Sequence, residues 1–202
     1  MIRALDKFSA NISRVKELGN LHIVIGNMIS SAVDISDILR AEIVLAVSAL
    51  DTLVHDIVNI GTMEIFVNIR ATPNNFKNIP IKLLSMRYYI NNPGSQNLIE
   101  EEISTRNSYF SFQSPDKISE ALSLVSNKKI WKELEDVLPE YGTSSDIQTR
   151  LKIIVDRRNK IAHEADIDPS SPPSRWPITR QMTTESVEFI EKIGIKIYDI
   201  VK

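Results

Sequence analysis

Arg158 and His163 stand five positions apart in RRNKIAHEAD, residues 157–166, in a chain that has only three histidines. An imidazole titrates near neutral pH and can take up or give back a proton. A guanidinium offers a planar fork to phosphate oxygens. Together they suit phosphodiester cleavage in which RNA attacks itself. The base removes the proton of the 2′-hydroxyl, and the cation holds the charge that builds on phosphorus. The nucleophile belongs to the substrate, so no serine, cysteine, metal or cofactor is called for. A positioned base contributes about 10²- to 10⁴-fold, and one preorganised donor about 3 to 4 kcal/mol. The products would be a 2′,3′-cyclic phosphate and a 5′-hydroxyl.

Around this pair lie Arg150, Lys152, Arg157 and Lys160, with Asp156 the single acid among them. In a chain of net charge −2 that is a local basic patch. A second reading is available, because the C-terminal end of any helix attracts cations to its dipole. Spacing refines the choice. Arg158 follows Leu151 and Ile154 by seven and four positions, on the apolar side, where an unpaired charge is costly. Asp156, Asn159 and His163 recur at three and four, a stripe that could orient the imidazole through a hydrogen bond. Arg158 and His163 are about 140° apart on an ideal helix. Their convergence therefore needs a frayed helix end, long side chains or a second copy of the motif across a dimer axis.

The elements that must hold the motif read as helices. TSSD, 143–146, is a capping box, and the helix it opens carries Ile147, Leu151, Ile154, Val155, Ile161 and Ala162 on its apolar side, together with the motif. A long segment from DISD, 34–37, which also resembles a capping box, to Asn59 or Asn68 is apolar almost all round. That marks the centre of a bundle, with Gly61 a candidate kink. Arg40, Ser48, Asp51 and His55 fall on its one polar side, where Arg40, Asp51 and His55 would buttress the motif helix. The other reading of that stripe is a solvated face. Residues 2–18 repeat apolar positions at three and four and end or bend at Gly19 and Asn20; His22 follows in an apolar run, as a packed or partly exposed residue. Between 71 and 142 the signals are a loop over 71–80 and short helices over 81–90 and 97–112. Another helical pattern starts at SPDK, 114–117, and runs to a break at Pro139. DIDPSSPPSRWP, 166–177, is a loop that no helix crosses, with Trp176 as its anchor. The last helix spans Thr184 to Lys202.

Bulk properties agree with an all-α fold. The chain has 202 residues, enough for one core, with 43% hydrophobic, 25% charged and 6% aromatic residues, and only six glycines. A β-sandwich would need more turn glycines. The absence of cysteine excludes disulfides, thiolate zinc sites and cysteine nucleophiles. The near-neutral balance argues against broad non-specific nucleic-acid binding. The charged N-terminus lacks a signal-peptide core, and charges interrupt the most apolar segment. The expectations are therefore a cytoplasmic protein and no membrane.

RNKIAH, followed by EAD and accompanied by ILRAEIVLAVSALDTLVHDI, resembles the R-x4-H signature and central helix of HEPN domains, in particular the RiboL-PSP-HEPN branch. The resemblance covers 34–60 and 143–202. It implies an antiparallel helical bundle over 1–202 with a helical insertion of unrecognised type at 71–142. It also implies a homodimer with the active site at its interface, and RNA as substrate. Arg158 and His163 would be catalytic, with Asn159, Asp156 and Arg157 supporting. The family's commonness in toxins and phage defence makes that setting an expectation, along with an antitoxin or regulatory protein as partner. Relatives controlled by nucleotidylation carry a tyrosine two positions after the histidine; here Ala165 stands there. The alternative function is a catalytically silent module that binds RNA, nucleotides or protein.

Overall fold

The computed structural model describes residues 1–30 and 32–202. Among these described residues, eight α-helices account for the architecture: α1 (Ile2–Met28), α2 (Ser36–Phe66), α3 (Leu83–Asn91), α4 (Asn97–Ser108), α5 (Pro115–Leu122), α6 (Ile130–Val137), α7 (Ser144–Glu164) and α8 (Arg180–Val201). Two 3-10 turns, Phe76–Asn78 and Pro139–Tyr141, complete it, and the described residues form no strand. The all-α bundle expected from composition and periodicity is what forms.

α2 is the axis, packed against α1, α7, α8, α4 and α5. Val47, Leu50, Leu53, Val54 and Ile57 lose all or nearly all their solvent contact there. Phe8 and Ile12 of α1, Ile147 and Leu151 of α7, and Phe189, Ile190 and Ile193 of α8 close the same core. α2 is long and apolar enough to cross a membrane, but its apolar surface is what the other helices cover. α5 and α6 bury Ile118, Leu122 and Leu134 in this core too. The middle of the chain is therefore not uniform, for α3 has no buried residue and packs on α4.

Several boundaries move. α1 does not end at Gly19 but runs on to Met28. The missing side chain is used for packing: the Arg180 guanidinium lies where a Cβ on residue 19 would project, reaching Glu42 at 2.8 Å. Gly61 is not a break either, since α2 continues through it and Val125 fills the space beside it. DISD forms no capping box. Asp34 instead accepts the Ser36 N–H at 2.8 Å, and Ile35 is the cap residue. α4 stops at Ser108, because Asp51 captures the Phe112 N–H at 2.6 Å. α8 begins four residues earlier than expected, with the Thr179 hydroxyl accepting the Met182 N–H.

Candidate RNA-cleavage site on α7

The capping box of α7 forms as expected: the Thr143 hydroxyl accepts the Asp146 N–H and the Asp146 carboxylate accepts the Thr143 N–H at 2.8 Å. Ile147, Leu151, Ile154 and Val155 then bury one face of the helix against the core, whereas Ile161 is only half-buried and Ala162, expected on the same side, is exposed because the core ends before the last turn. This fixes the rotation of the last three turns and so decides where 157–163 point. The helix ends at Ala165, which takes a left-handed conformation with φ 51°; Asp166 follows with φ 59°. The N–H groups of both return to the Lys160 carbonyl, satisfying an orphan acceptor at the helix end.

The two arginines of the motif part company. Arg157 turns to the 166–177 loop, where its Nη2 donates to Asp166 Oδ2 at 2.7 Å and to the Trp176 carbonyl at 3.1 Å. Arg40 of α2 reaches the same two acceptors, Nε to Asp166 Oδ2 at 2.8 Å and Nη2 to the Trp176 carbonyl at 3.0 Å. Asp166 is fully buried and Arg40 is 5% exposed. A single carboxylate thus ties α2, α7 and the loop together, compensating two guanidinium charges away from solvent. Further out, Arg175 pairs with Asp37 and with Asp34 at 2.7 Å. Hydrogen bonds from Ser36, with Arg175 adding its charge, hold the Asp34 carboxyl down at about 2. Lys160 lies over the Trp176 ring, 5.1 Å from its centroid, and Trp176 anchors the loop.

Arg158 faces elsewhere. It is half-buried, its Nη1 donates to the neighbouring Asn159 Oδ1 at 3.1 Å, and it has no carboxylate partner among the described residues. Its Nε is buried without a hydrogen bond. His163 is exposed in the last turn of α7. Neither Asp156 nor Asn159 hydrogen-bonds to it, so the orienting stripe read from the spacing is not made within one chain. Arg158 and His163 form no hydrogen bond with each other either, in keeping with about 140° between them on an ideal helix.

Of the three residues placed behind the motif, only Arg40 shares a network with α7. Asp51 and His55 lie elsewhere. The Asp51 carboxylate accepts from the Phe112 N–H and from Gln113, and the His55 ring packs on Phe112 at 4.4 Å. They tie down the 112–113 segment instead of buttressing the motif. The basic patch also disperses. Arg150 sits over the rings of Tyr141 and Phe189, Arg157 is clamped, and Lys160 covers Trp176, which leaves Lys152 and Arg158 as its free cations among the described residues. Asp166 was not read as a functional residue from the sequence. Its signal was an acid directly after a helix end bearing paired arginines.

A family model described as RiboL-PSP-HEPN matches residues 9–202. The chain belongs to that family. The match takes in α3 to α6, well beyond the two segments in which the likeness was legible by eye. Membership of this family points to a nuclease or RNA-binding role in general. No curated protein and no solved structure matches the chain significantly.

Proposed function

We propose that this HEPN protein is a metal-independent endoribonuclease in which Arg158 and His163 carry the chemistry. One observation supports this reading above the others. Of two adjacent arginines, Arg157 is neutralised by a buried carboxylate, while Arg158 has no counter-ion among the described residues and lies on the helix that presents an exposed His163. A guanidinium kept free of carboxylates is free for phosphate.

The His163 imidazole takes the proton of the 2′-hydroxyl as its oxygen attacks phosphorus. The bond to the 5′-oxygen breaks, and that oxygen takes a proton from solvent to leave as a 5′-hydroxyl, while the His163 imidazolium returns its proton to solvent. Arg158 holds the non-bridging oxygens through the pentacoordinate state. About 140° separates Arg158 and His163 on an ideal helix, so two copies facing each other across a two-fold axis would supply the complete set. The fragment released carries a 2′,3′-cyclic phosphate. The working setting is a cytoplasmic toxin or defence effector, restrained by a partner protein.

Purified protein incubated with RNA in excess EDTA is the direct test, beside His163→Ala and Arg158→Ala. Cleavage that leaves cyclic phosphates and disappears in both variants, with their melting curves unchanged, is the expected result. A folded wild-type dimer that binds RNA and leaves every strand intact would move the assignment to a silent RNA-binding module. Arg158→Lys sharpens the test: it keeps the charge and loses the fork, and should retain only a small part of the rate.

A further inference from the structure

Beside the motif, α7 and the start of α5 enclose a groove of about 330 Å³. That is at the small end of ligand clefts, which run from about 300 to 1,000 Å³, and leaves room for one nucleoside-sized group. Asp156, Asn159, Lys152 and Gln148 line it from α7, and Asp116 from α5. Pro115 and Val155, both largely buried in the fold, give it its apolar lining. On α7 the residues Lys152, Asp156, Asn159 and His163 follow one another at four, three and four positions, which puts them on one face. Asn159 and His163 are about 6 Å apart along the axis. Asn159 belongs to both places, since it lines the groove and its Oδ1 accepts from Arg158.

The groove's hydrogen-bonding character is lopsided. Asp116 and Asp156 form no ion pair among the described residues, so two carboxylates are free to accept. The Gln148 amide donates to the Ser144 carbonyl at 3.0 Å, which leaves its own oxygen as a further acceptor. The Asn159 oxygen is taken by Arg158, which leaves its NH2 group as donor. Lys152 adds one cation. Two carboxylates repel phosphate, so the groove does not suit the backbone. It suits the edge of a base that donates.

We propose that this groove is a base-reading subsite that takes a nucleobase with an exocyclic amino group, guanine fitting best, from the strand cut at Arg158 and His163. The proposal rests on the RNA reading above and names the feature of the substrate that the site selects. Guanine presents N1–H and N2–H side by side, matching the two oxygens of one carboxylate. Its O6 acceptor meets the Asn159 amide or Lys152. Cytosine and adenine offer one amino group each. Uracil flanks its single N3–H with two carbonyl oxygens, which the carboxylates repel. The flat face of the base rests on Pro115 and Val155.

Binding separates this proposal from the cleavage chemistry. Full-length His163→Ala protein is titrated with four labelled heptamers of sequence UUUXUUU, X being G, C, A or U, read by fluorescence anisotropy. The expected order is G first and U last, with about tenfold between them, the size of one good bidentate contact. Adding Asp156→Asn should reduce that ratio to about twofold or less, and Asp116→Asn, on a different helix, should do the same. Lys152→Ala should weaken all four ligands alike and leave the ratio standing. Melting curves confirm that each variant is folded. Equal binding of the four heptamers, no binding of any, or a guanine preference untouched by both carboxylate variants would overturn the groove. Mapping cleavage by the wild type in parallel keeps the two readings apart. Cuts without sequence preference sink the groove alone, whereas intact RNA with the preference retained sinks cleavage alone.

Discussion

Arg157 and Arg158 are adjacent in the chain and carry the same group, yet one closes a structural clasp and the other, though half-buried as well, pairs with no carboxylate among the described residues. Arg157 shares Asp166 with Arg40 at 2.7 and 2.8 Å, inside the fold. Arg158, rotated 100° around the helix, meets only a neutral amide. A buried and a half-buried guanidinium on one fully buried carboxylate form a joint that is costly to break, because removing a partner leaves a buried charge poorly compensated. The clasp fixes the direction in which α7 ends and so where His163 points. Rigidity and reactivity are thus divided between neighbouring residues of one motif, and each half can be broken without the other.

Asp166→Asn is the harshest cut into the clasp. It keeps the shape and a residue type that tolerates positive φ, but leaves Arg157 without a counter-charge and Arg40 with only Asp37, 3.7 Å away. Loss of about 3 to 5 kcal/mol is expected in a denaturant melt; an unchanged melt would mean that the network contributes nothing. His163→Ala is the complementary cut. RNA cleavage should drop by about 10²- to 10⁴-fold, while stability stays within about 0.5 kcal/mol, as for an exposed side chain without partners. Destabilisation comparable to that of Asp166→Asn would erase the distinction between the two halves. At the far end of α7, Thr143→Ala removes the capping box and should cost about 1 kcal/mol, measurable by the same melt, without altering product ends.

The smallest expected effect concerns the outer tie of the loop. Asp34 is held at about 2, below its ordinary value of 3.8, by Ser36 first and Arg175 second. Its folded value is depressed, so its contribution is complete above about pH 4 and fades as pH falls toward 2. The side chain is well exposed and the pair is screened, so the amplitude is small. Melting wild type beside Asp34→Asn across that window should show their difference shrinking with acidity. A difference that is constant with pH would show that the charge is not what Asp34 contributes.

The surface contrasts in the same way elsewhere. α7 exposes polar groups over its last turns, whereas α3 exposes Leu83, Leu84 and Ile90 at 88%, 75% and 67%. Periodicity named α3 a helix but could not say that its apolar residues would stay outside. Burial is decided by what lies opposite a face, and α3 packs chiefly on α4, with Tyr89 alone shown against Phe66 of α2.

Legibility was greatest where the signal was local. The α7 capping box, the apolar period of α2 and the proline break at 166–177 all rest on interactions within a few residues, and each formed. The start of α8 was missed because the Thr179 cap precedes the first apolar position. The end of α1 was missed because Gly19 was judged as a helix breaker, while the packed structure uses it as space for Arg180. The Asp51–His55 pair could be placed on one helix face but not assigned a neighbour, and its neighbours are Phe112 and Gln113.

What the sequence determined by itself is the all-α class, the central place of α2, and the presence of an arginine and a histidine on one helix near its end. Those follow from periodicity, capping and composition, all of which act over short separations. Which arginine would be clamped, and by which acid, was decided by tertiary structure alone. Arg40 and Asp166 are 126 residues apart, and no local rule couples positions that far along the chain. They meet because core packing sets the rotation of α2 and α7, and the buried carboxylate then takes the two guanidiniums within its reach.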